Sequence, residues 1–162
     1  MKISPIGTSQ DLLAVKRVAE NAFSATPDSS LGEWFSFNEM ENILKKGRGV
    51  CLIATSDKNE AIGMIFAAQE SPINGKESEE KWVINIIGVD PKKSGQGIGS
   101  AMLKEAEKEA RNRGVKKMFV FTNKGDDKVV HFYKKNGFED AGWVQDYQYG
   151  KNNSAVFLLK YL

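Results

Sequence analysis

Apolar residues recur along this chain at two spacings, and each spacing predicts a different kind of element. Recurrence at every third or fourth position predicts four helices. They run from a cap at Thr8 or Ser9 to Phe23, and then over Glu33–Lys46, Ile98–Arg113 and Asp127–Lys135. A segment rich in turn-forming residues, 26–30, separates the first two helices.

Short apolar runs bounded by glycine and polar turns predict seven strands. They lie at Lys2–Ile6, Val50–Thr55, Ala61–Ala68, Trp82–Val89, Val115–Phe121, Trp143–Tyr149 and Ser154–Leu159. Ser71–Glu80 is predicted to be a polar loop. Because strands and helices are interleaved without a repeat or a linker, we expect one mixed α/β domain over residues 1–162, with helices on both faces of its sheet.

Composition narrows the class of protein without identifying it. The 23 basic and 21 acidic residues give a net charge of +2 and are interspersed, so no basic face for nucleic acid is predicted. No run approaches the roughly 20 apolar residues that a membrane span needs. The first residues also lack the apolar segment of a signal peptide. A cytoplasmic protein without a membrane or nucleic-acid partner is therefore expected.

The single cysteine, Cys51, rules out a disulfide framework and a cysteine-rich zinc site. It lies within the apolar run Val50–Ala54, which favours a small buried core residue. The alternative is a reactive thiol. No metal site is predicted.

The segment after the predicted strand Trp82–Val89 has the composition of an anion-binding loop. Asp90 to Ser94 lead into Gly95-Gln96-Gly97-Ile98-Gly99, where a predicted helix begins. Alternate glycines leave room around backbone N–H groups, and a helix start adds further unpaired N–H groups and a positive dipole end. This pattern predicts a phosphate or pyrophosphate site. The alternative is a flexible turn with glycines at the start of a helix.

Two other phosphate-binding motifs do not fit this loop. A dinucleotide-binding fingerprint needs G-x-G-x-x-G directly after its strand, whereas here the spacing is G-x-G-x-G and Asp90 to Ser94 intervene. A P-loop needs Gly-Lys-Ser/Thr, and Gly99-Ser100-Ala101 has no lysine.

The loop resembles the pyrophosphate motif of the GNAT superfamily of acyl-CoA-dependent N-acyltransferases, an arginine or glutamine followed by x-x-Gly-x-Gly/Ala. Ser94 departs from the first position of that motif. The departure implies at most a weaker affinity for the pyrophosphate, because backbone N–H groups provide most of the binding. The resemblance implies that acyl-CoA is held by Ser94, Gly95, Gln96, Gly97, Ile98, Gly99 and Ser100.

A second block, Phe132-Tyr133-Lys134-Lys135-Asn136-Gly137-Phe138, resembles the end of the last helix of the same family. The family fold is a mixed, mostly antiparallel sheet whose fourth and fifth strands splay apart. The resemblance implies that Ile87, Gly88 and Val89 line the gap and contact the pantetheine arm. Gly88 suits a bulge that opens the gap, with a packing role as the alternative.

The resemblance implies that Tyr133 is the general acid that protonates the departing thiolate of CoA. The alternative is a core aromatic residue. Asn123 is a candidate contact to the pantetheine amides, although the asparagine of the family often lies a few residues later, where this chain has Asp126.

The general base is not identified by the sequence. The positions at which many family members carry a glutamate correspond to Val83 and Phe121. Asn85 is a candidate to hold a water that relays the proton, or else a satisfied core amide. His131 is interpreted as solvated because it cannot face the same way as Tyr133 on a helix. Two further candidates on the second helix, Glu33 and Glu39, are interpreted mainly as a solvated face.

We therefore expect an enzyme that transfers an acetyl or other short acyl group from acyl-CoA to a primary amine. The acceptor is a small molecule or a protein, and a homodimer is compatible with the sequence. The alternative function is an acyl-CoA sensor without turnover, motivated by Ser94 and by the missing carboxylate base. Four aromatic residues are candidates to line an acceptor cleft, with a core position favoured for each: Trp34, Phe35, Phe37 and Tyr147.

Overall fold

The computed structural model describes residues 1–24, 31–70, 75–147 and 152–162. A seven-stranded sheet has the order β1-β2-β3-β4-β5-β7-β6. Only β4 and β5 are parallel among the described strand pairs. The strands are β1 Lys2–Pro5, β2 Gly49–Thr55, β3 Ala61–Gln69, β4 Lys81–Val89, β5 Lys117–Asn123, β6 Glu139–Val144 and β7 Ala155–Tyr161.

Six α-helices accompany the sheet in the described part of the chain. They are α1 Ser9–Ala22, α2 Leu31–Trp34, α3 Phe37–Lys45, α4 Gly75–Glu79, α5 Ile98–Asn112 and α6 Asp127–Lys135. The first begins with a capping box in which Thr8 accepts from the Asp11 N–H and the Asp11 carboxylate accepts from the Thr8 N–H. The pKa of Asp11 is lowered, mainly by the hydrogen bond from the Gly7 N–H and then by hydrogen bonding with Thr8.

Helices cover the two faces of the sheet unequally. On one face, the buried side of α5 packs with α6 against β2 to β5 and β7. On the other, α1, α2 and α3 contribute Val15, Leu31 and Met40 to a second core over β2, β3 and β4. The predicted mixed sheet with helices on both faces is confirmed. We call these the α5 face and the α1 face.

The predicted splay of the fourth and fifth strands is visible in their pairing. β4 and β5 pair only at Lys81–Lys117, Trp82–Met118 and Val83–Phe119. Both strands continue beyond that point, β4 to Val89 and β5 to Asn123. A wedge-shaped gap therefore opens between them after Val83.

The bulge that bends β4 is at Asn85, so the expected bulge at Gly88 is wrong. Phe66 pairs with Ile86 and Ala67 with Ile84, which leaves Asn85 as the extra residue. Gly88 is required by packing instead. A Cβ there would lie 3.1 Å from the Ala22 Cβ, so the glycine lets α1 approach the sheet closely.

Several predicted boundaries also need correction. The predicted helix over Glu33–Lys46 is two helices, α2 and α3, because Ser36 caps the second by accepting from the Glu39 N–H. The polar loop contains the short helix α4. The sixth strand begins at Glu139 rather than Trp143, directly after the Gly137 turn. The predicted turn at 26–30, the start of the polar loop at 71–74 and residues 148–149 lie outside the described residues.

Candidate active site

The glycine loop lies at the start of α5 and leads out of β4. Asp90 accepts a hydrogen bond from the Lys92 N–H and caps a 3₁₀ turn, Pro91–Lys93, that redirects the chain. Gly95 and Gly97 then adopt φ values of +77° and +78°. Residues with a Cβ rarely adopt this region, so the path of the loop depends on glycine at both positions.

This loop leaves a row of backbone donors without protein partners. Within the described chain, no hydrogen bond uses the N–H groups from Gly95 to Ser100, whereas the Ser94 N–H donates to the Pro91 carbonyl. Gly97, which precedes the helix, has no side-chain cap. Loop residues 94–97 are exposed. Exposed N–H groups at the positive end of a helix form a site suited to a phosphate group.

The third glycine of the loop has a different purpose. A Cβ on Gly99 would lie 3.2 Å from the Phe132 ring and 3.8 Å from Val89. Gly99 therefore allows the first turn of α5 to contact α6 and the end of β4. By contrast, a Cβ on Gly95 or Gly97 would meet nothing within 4 Å.

Tyr133 lies on α6 on the same face of the sheet as the glycine loop. It is 3% exposed, and its ring packs edge-on against Phe132 and Phe138, with ring centroids 5.0 and 5.4 Å away. Burial raises the pKa of the Tyr133 hydroxyl well above its usual range, so the hydroxyl is protonated at neutral pH. It has no hydrogen-bond partner in the described parts of the chain. This placement accommodates both a proton donor and a core aromatic residue.

The two predicted amide side chains differ in their environment. Asn85 is exposed in the bulge of β4, and its amide donates to the Val83 carbonyl at 3.0 Å. It is thus not a core amide. Asn123 accepts from the Gly125 N–H and donates to Asn153, both at 2.8 Å. Its side chain holds the turn after β5. Asp126 caps α6 by accepting from the Val129 N–H.

The histidine and the two glutamate candidates lie on the surface. His131 is exposed, as expected, and so are Glu33 and Glu39. The positions expected for a carboxylate base, Val83 and Phe121, lie beside the gap.

Cys51 is buried on the α1 face, where burial raises its thiol pKa to about 12 and makes it unreactive, as predicted.

The aromatic candidates for an acceptor cleft divide into two groups. Phe35 and Phe37 pack against the α1-face core, as favoured by the sequence. Trp34 and Tyr147 are 45% and 50% exposed, so the expectation that they are core residues is wrong. The sequence analysis missed Phe157, which packs against Tyr147 with ring centroids 5.1 Å apart. Phe157 lies in the predicted strand Ser154–Leu159, whose mostly apolar sequence does not reveal the direction of its ring.

Comparison with known proteins settles the family. The sequence model of the acetyltransferase (GNAT) family matches residues 15–138, most of the chain. The chain belongs to the GNAT acetyltransferase family. The matched region contains the sheet from β2 to β5, the glycine loop and Tyr133, so the resemblance drawn from the two motifs is confirmed.

The solved structures that match this GNAT domain agree on the fold. The ribosomal-protein-alanine N-acetyltransferase from Brucella melitensis superposes with a TM-score of 0.80 and 21% identity, with 100% of both chains covered. An aminoglycoside 6'-N-acetyltransferase complexed with coenzyme A gives a TM-score of 0.73 at 19% identity, covering 99% of this chain and 97% of the other.

A curated relative is the mycothiol acetyltransferase of Cellulomonas flavigena, which is 28% identical over 145 residues. The match covers 87% of this chain but 40% of the relative. The chain spans 30–40% of the length of the curated relatives it matches.

The described residues contain neither a membrane-spanning helix nor a metal-binding cluster. No helix among them is long and apolar enough to cross a membrane. Within the same residues, no three histidine, cysteine, aspartate or glutamate side chains come together as a metal site.

Proposed function

We propose that this GNAT domain, residues 1–162, transfers an acetyl group from acetyl-CoA to a primary amine. The observation that carries the proposal is the row of free N–H groups from Gly95 to Ser100 at the start of α5. A pyrophosphate is the part of acetyl-CoA that such a row would hold. Lys92 and Lys93, at the preceding turn, add positive charge.

The gap between β4 and β5 offers the next part of the cofactor a backbone partner. After Val83, the edge of β4 that faces β5 has no strand partner in the described chain. An extended pantetheine arm carries amides that suit such an edge. In this arrangement Ile87, Gly88 and Val89 run beside the arm, and Ser94 to Ser100 hold the phosphates. Asn123, which is satisfied by Gly125 and Asn153, would contact the arm only after exchanging a partner.

The reaction joins the amine to the acetyl group and releases CoA. The neutral nitrogen attacks the thioester carbonyl, a C–N bond forms and the C–S bond breaks. The nitrogen loses one proton to water or a base, and the sulfur gains one. In this proposal a backbone N–H near Val89 would polarise the carbonyl as charge develops on its oxygen.

Tyr133 is the proposed proton donor to sulfur. Since thiols have a pKa near 8.5 and burial raises that of Tyr133, complete transfer from tyrosine to a free thiolate is uphill. Tyr133 would therefore act mainly by donating a hydrogen bond to the sulfur as negative charge develops there. Solvent can then complete the protonation.

The amine side relies on water rather than on a carboxylate. Val83 and Phe121 cannot accept a proton, and Asn85 is exposed beside the gap. Asn85 is proposed to hold the water that carries the proton to solvent. A typical alkylamine with a pKa near 10.4 is about 0.04% neutral at pH 7. We therefore expect slow turnover at neutral pH and faster turnover as the pH rises.

A second candidate function is an acyl-CoA sensor, which the absence of a carboxylate at Val83 and Phe121 favours. One assay separates the two functions. Acetyl-CoA is first titrated into the protein by calorimetry, and thiol release is then followed with a panel of primary amines at pH 7 to 10. Binding with amine-dependent thiol release supports the transferase, and binding without release at any pH supports the sensor.

A further inference from the structure

One side of the sheet next to the gap is covered by aromatic rings rather than by a helix. Phe121 of β5, Phe157 of β7 and Tyr147 form a mutual cluster, with ring centroids 5.1 to 5.7 Å apart. Phe121 and Tyr147 are 41% and 50% exposed. We call these three residues the aromatic cluster.

The alternation of the strands places the cluster on the α1 face. Met118 and Val120 point into the α5-face core, so their neighbours Phe119 and Phe121 point the other way. Phe157 precedes Leu158, which points into the α5-face core, so the Phe157 ring points to the α1 face. The helices of the α1 face pack over β2 to β4, and the core that they form includes no described residue of β5, β6 or β7. Among the described residues, the helix-covered core of the α1 face therefore stops at β4.

The cluster borders the gap in which the thioester is proposed to lie. Phe119 is the last β5 residue paired with β4, and Phe121 is the next residue on the same face. The glycine loop and Tyr133 belong to the α5 side, as shown by the contact of Gly99 with Phe132. With the cofactor on the α5 side, as proposed, the amine would enter from the α1 face, where Phe121 is 41% exposed.

Apart from Asn123, the next residue of β5 on the same face as Phe121, the rows beside the cluster are apolar. In the row next to it, Val83, Phe119 and Leu159 lie side by side across three strands. Beyond Phe157, the neighbour on β6 is Gly142, which leaves open space. The charged groups of these rows lie at the margins: Glu139 beside Leu159, and Lys117 with its Nζ 5.8 Å from the Phe119 ring.

The apolar, aromatic character of this surface favours one class of amine over another. A polyamine or an aminosugar would have to shed water from several charged or hydroxyl groups against rings that cannot replace those hydrogen bonds. An aromatic or branched apolar group loses only apolar hydration and can stack edge-on with the cluster. A single ammonium group would also be attracted to the ring faces before it loses its proton.

Resting on the proposed function, we infer that the acceptor is a primary amine with its amino group one or two carbons from an aromatic or branched apolar group. The cluster of Phe121, Phe157 and Tyr147 binds that group, while the amine enters the gap between β4 and β5. The same chemistry is presented by a free amine and by the first residue of a peptide.

The test compares kcat/KM for 2-phenylethylamine, a peptide amide beginning with phenylalanine, and spermidine. We expect at least a tenfold preference for one or both aromatic amines, and the preferred arm identifies the source. Phe121→Ala should lower that kcat/KM by about 10- to 100-fold, the range expected for losing one buried ring contact. Tyr147→Ala, at a more exposed position, should lower it in the same direction.

The matched control is Trp143→Ala, an exposed aromatic residue of β6 that pairs with Val156 on the α5 face. It should leave the preference unchanged. Calorimetry with acetyl-CoA should give wild-type affinity for all three variants, which separates acceptor binding from the cofactor site. A preference for spermidine would overturn the inference, as would Phe121→Ala and Tyr147→Ala variants that retain the aromatic preference.

Two further outcomes are decisive. If acetyl-CoA does not bind to the wild-type protein, the proposed function fails and the inference fails with it. If light scattering shows a dimer that Phe121→Ala dissociates while the amine preference is unchanged, a second copy of the chain covers the cluster, and the acceptor assignment is wrong.

Discussion

The glycine loop and the aromatic cluster lie on either side of the same gap but are built in different ways. The loop is a continuous segment whose binding groups are backbone N–H groups, oriented by Gly95 and Gly97. The cluster is assembled from side chains of β5, of β7 and of the segment that follows β6, namely Phe121, Phe157 and Tyr147. One segment of the sequence therefore specifies the proposed cofactor site, whereas the proposed acceptor site depends on how distant segments pair.

The largest effect is expected from a substitution in the glycine loop. Gly97→Val places a β-branched residue at φ +78°, which would shift the loop and misdirect its N–H groups. We expect acetyl-CoA affinity to fall by more than about 100-fold, measured by calorimetry. The matched control is Gly114→Val at the other end of α5, which has the same φ and equally open surroundings.

Both valine variants should lose a similar amount of unfolding free energy, about 1–3 kcal/mol for a strained backbone residue. Only Gly97→Val should lose acetyl-CoA binding. Equal affinity in the two variants would show that the loop is an ordinary turn.

The next effect concerns chemistry rather than binding. Tyr133→Phe keeps the ring between Phe132 and Phe138 and removes the hydroxyl. Turnover should fall by roughly 10- to 1000-fold, towards the lower end because thiolate is a good leaving group. Acetyl-CoA affinity should change little. Tyr161→Phe, at a 72% exposed position, is the control. Full turnover in the Tyr133 variant would show that Tyr133 is only a core aromatic residue and donates no proton.

The protonation states required of the amine and of Tyr133 predict that kcat/KM rises with pH and does not fall again in the usual assay range. The amine must be neutral, so kcat/KM should rise about tenfold per pH unit up to the pKa of the amine. Tyr133 must be protonated, and burial raises its pKa above the ordinary value near 10. We therefore expect no decline below about pH 10. A decline between pH 7 and 9 would point to another acid.

The smallest expected effect tests the corrected role of Gly88. Gly88→Ala brings a Cβ to 3.1 Å from the Ala22 Cβ, so α1 must shift slightly. We expect a loss of about 1–2 kcal/mol in unfolding free energy from overpacking, measured by urea denaturation. Acetyl-CoA affinity should stay within a few-fold of wild type. Normal stability together with a loss of acetyl-CoA affinity would show that Gly88 belongs to the cofactor site rather than to the helix packing.

The sequence predicted those features that depend on local pattern. The glycine loop, α5, α6 and the position of Tyr133 follow from spacing within single segments, and the family resemblance supplied the splay of β4 and β5. The bulge at Asn85 was missed because it arises from the register between β3 and β4, which one strand does not reveal. Phe157 was missed because its neighbour Phe121 is brought to it by the pairing of β5 with β7, which a single segment does not reveal.

The most direct test of the central claim is the response of individual backbone amides to acetyl-CoA, followed by ¹⁵N–¹H NMR. If the loop holds the pyrophosphate, the amides from Gly95 to Ser100 gain hydrogen bonds to anionic oxygens. Their signals should move more than those of the other amides, and inorganic pyrophosphate should move the same signals at higher concentration. Saturable acetyl-CoA binding that leaves the six amides of the loop unchanged would show that the loop does not hold the pyrophosphate.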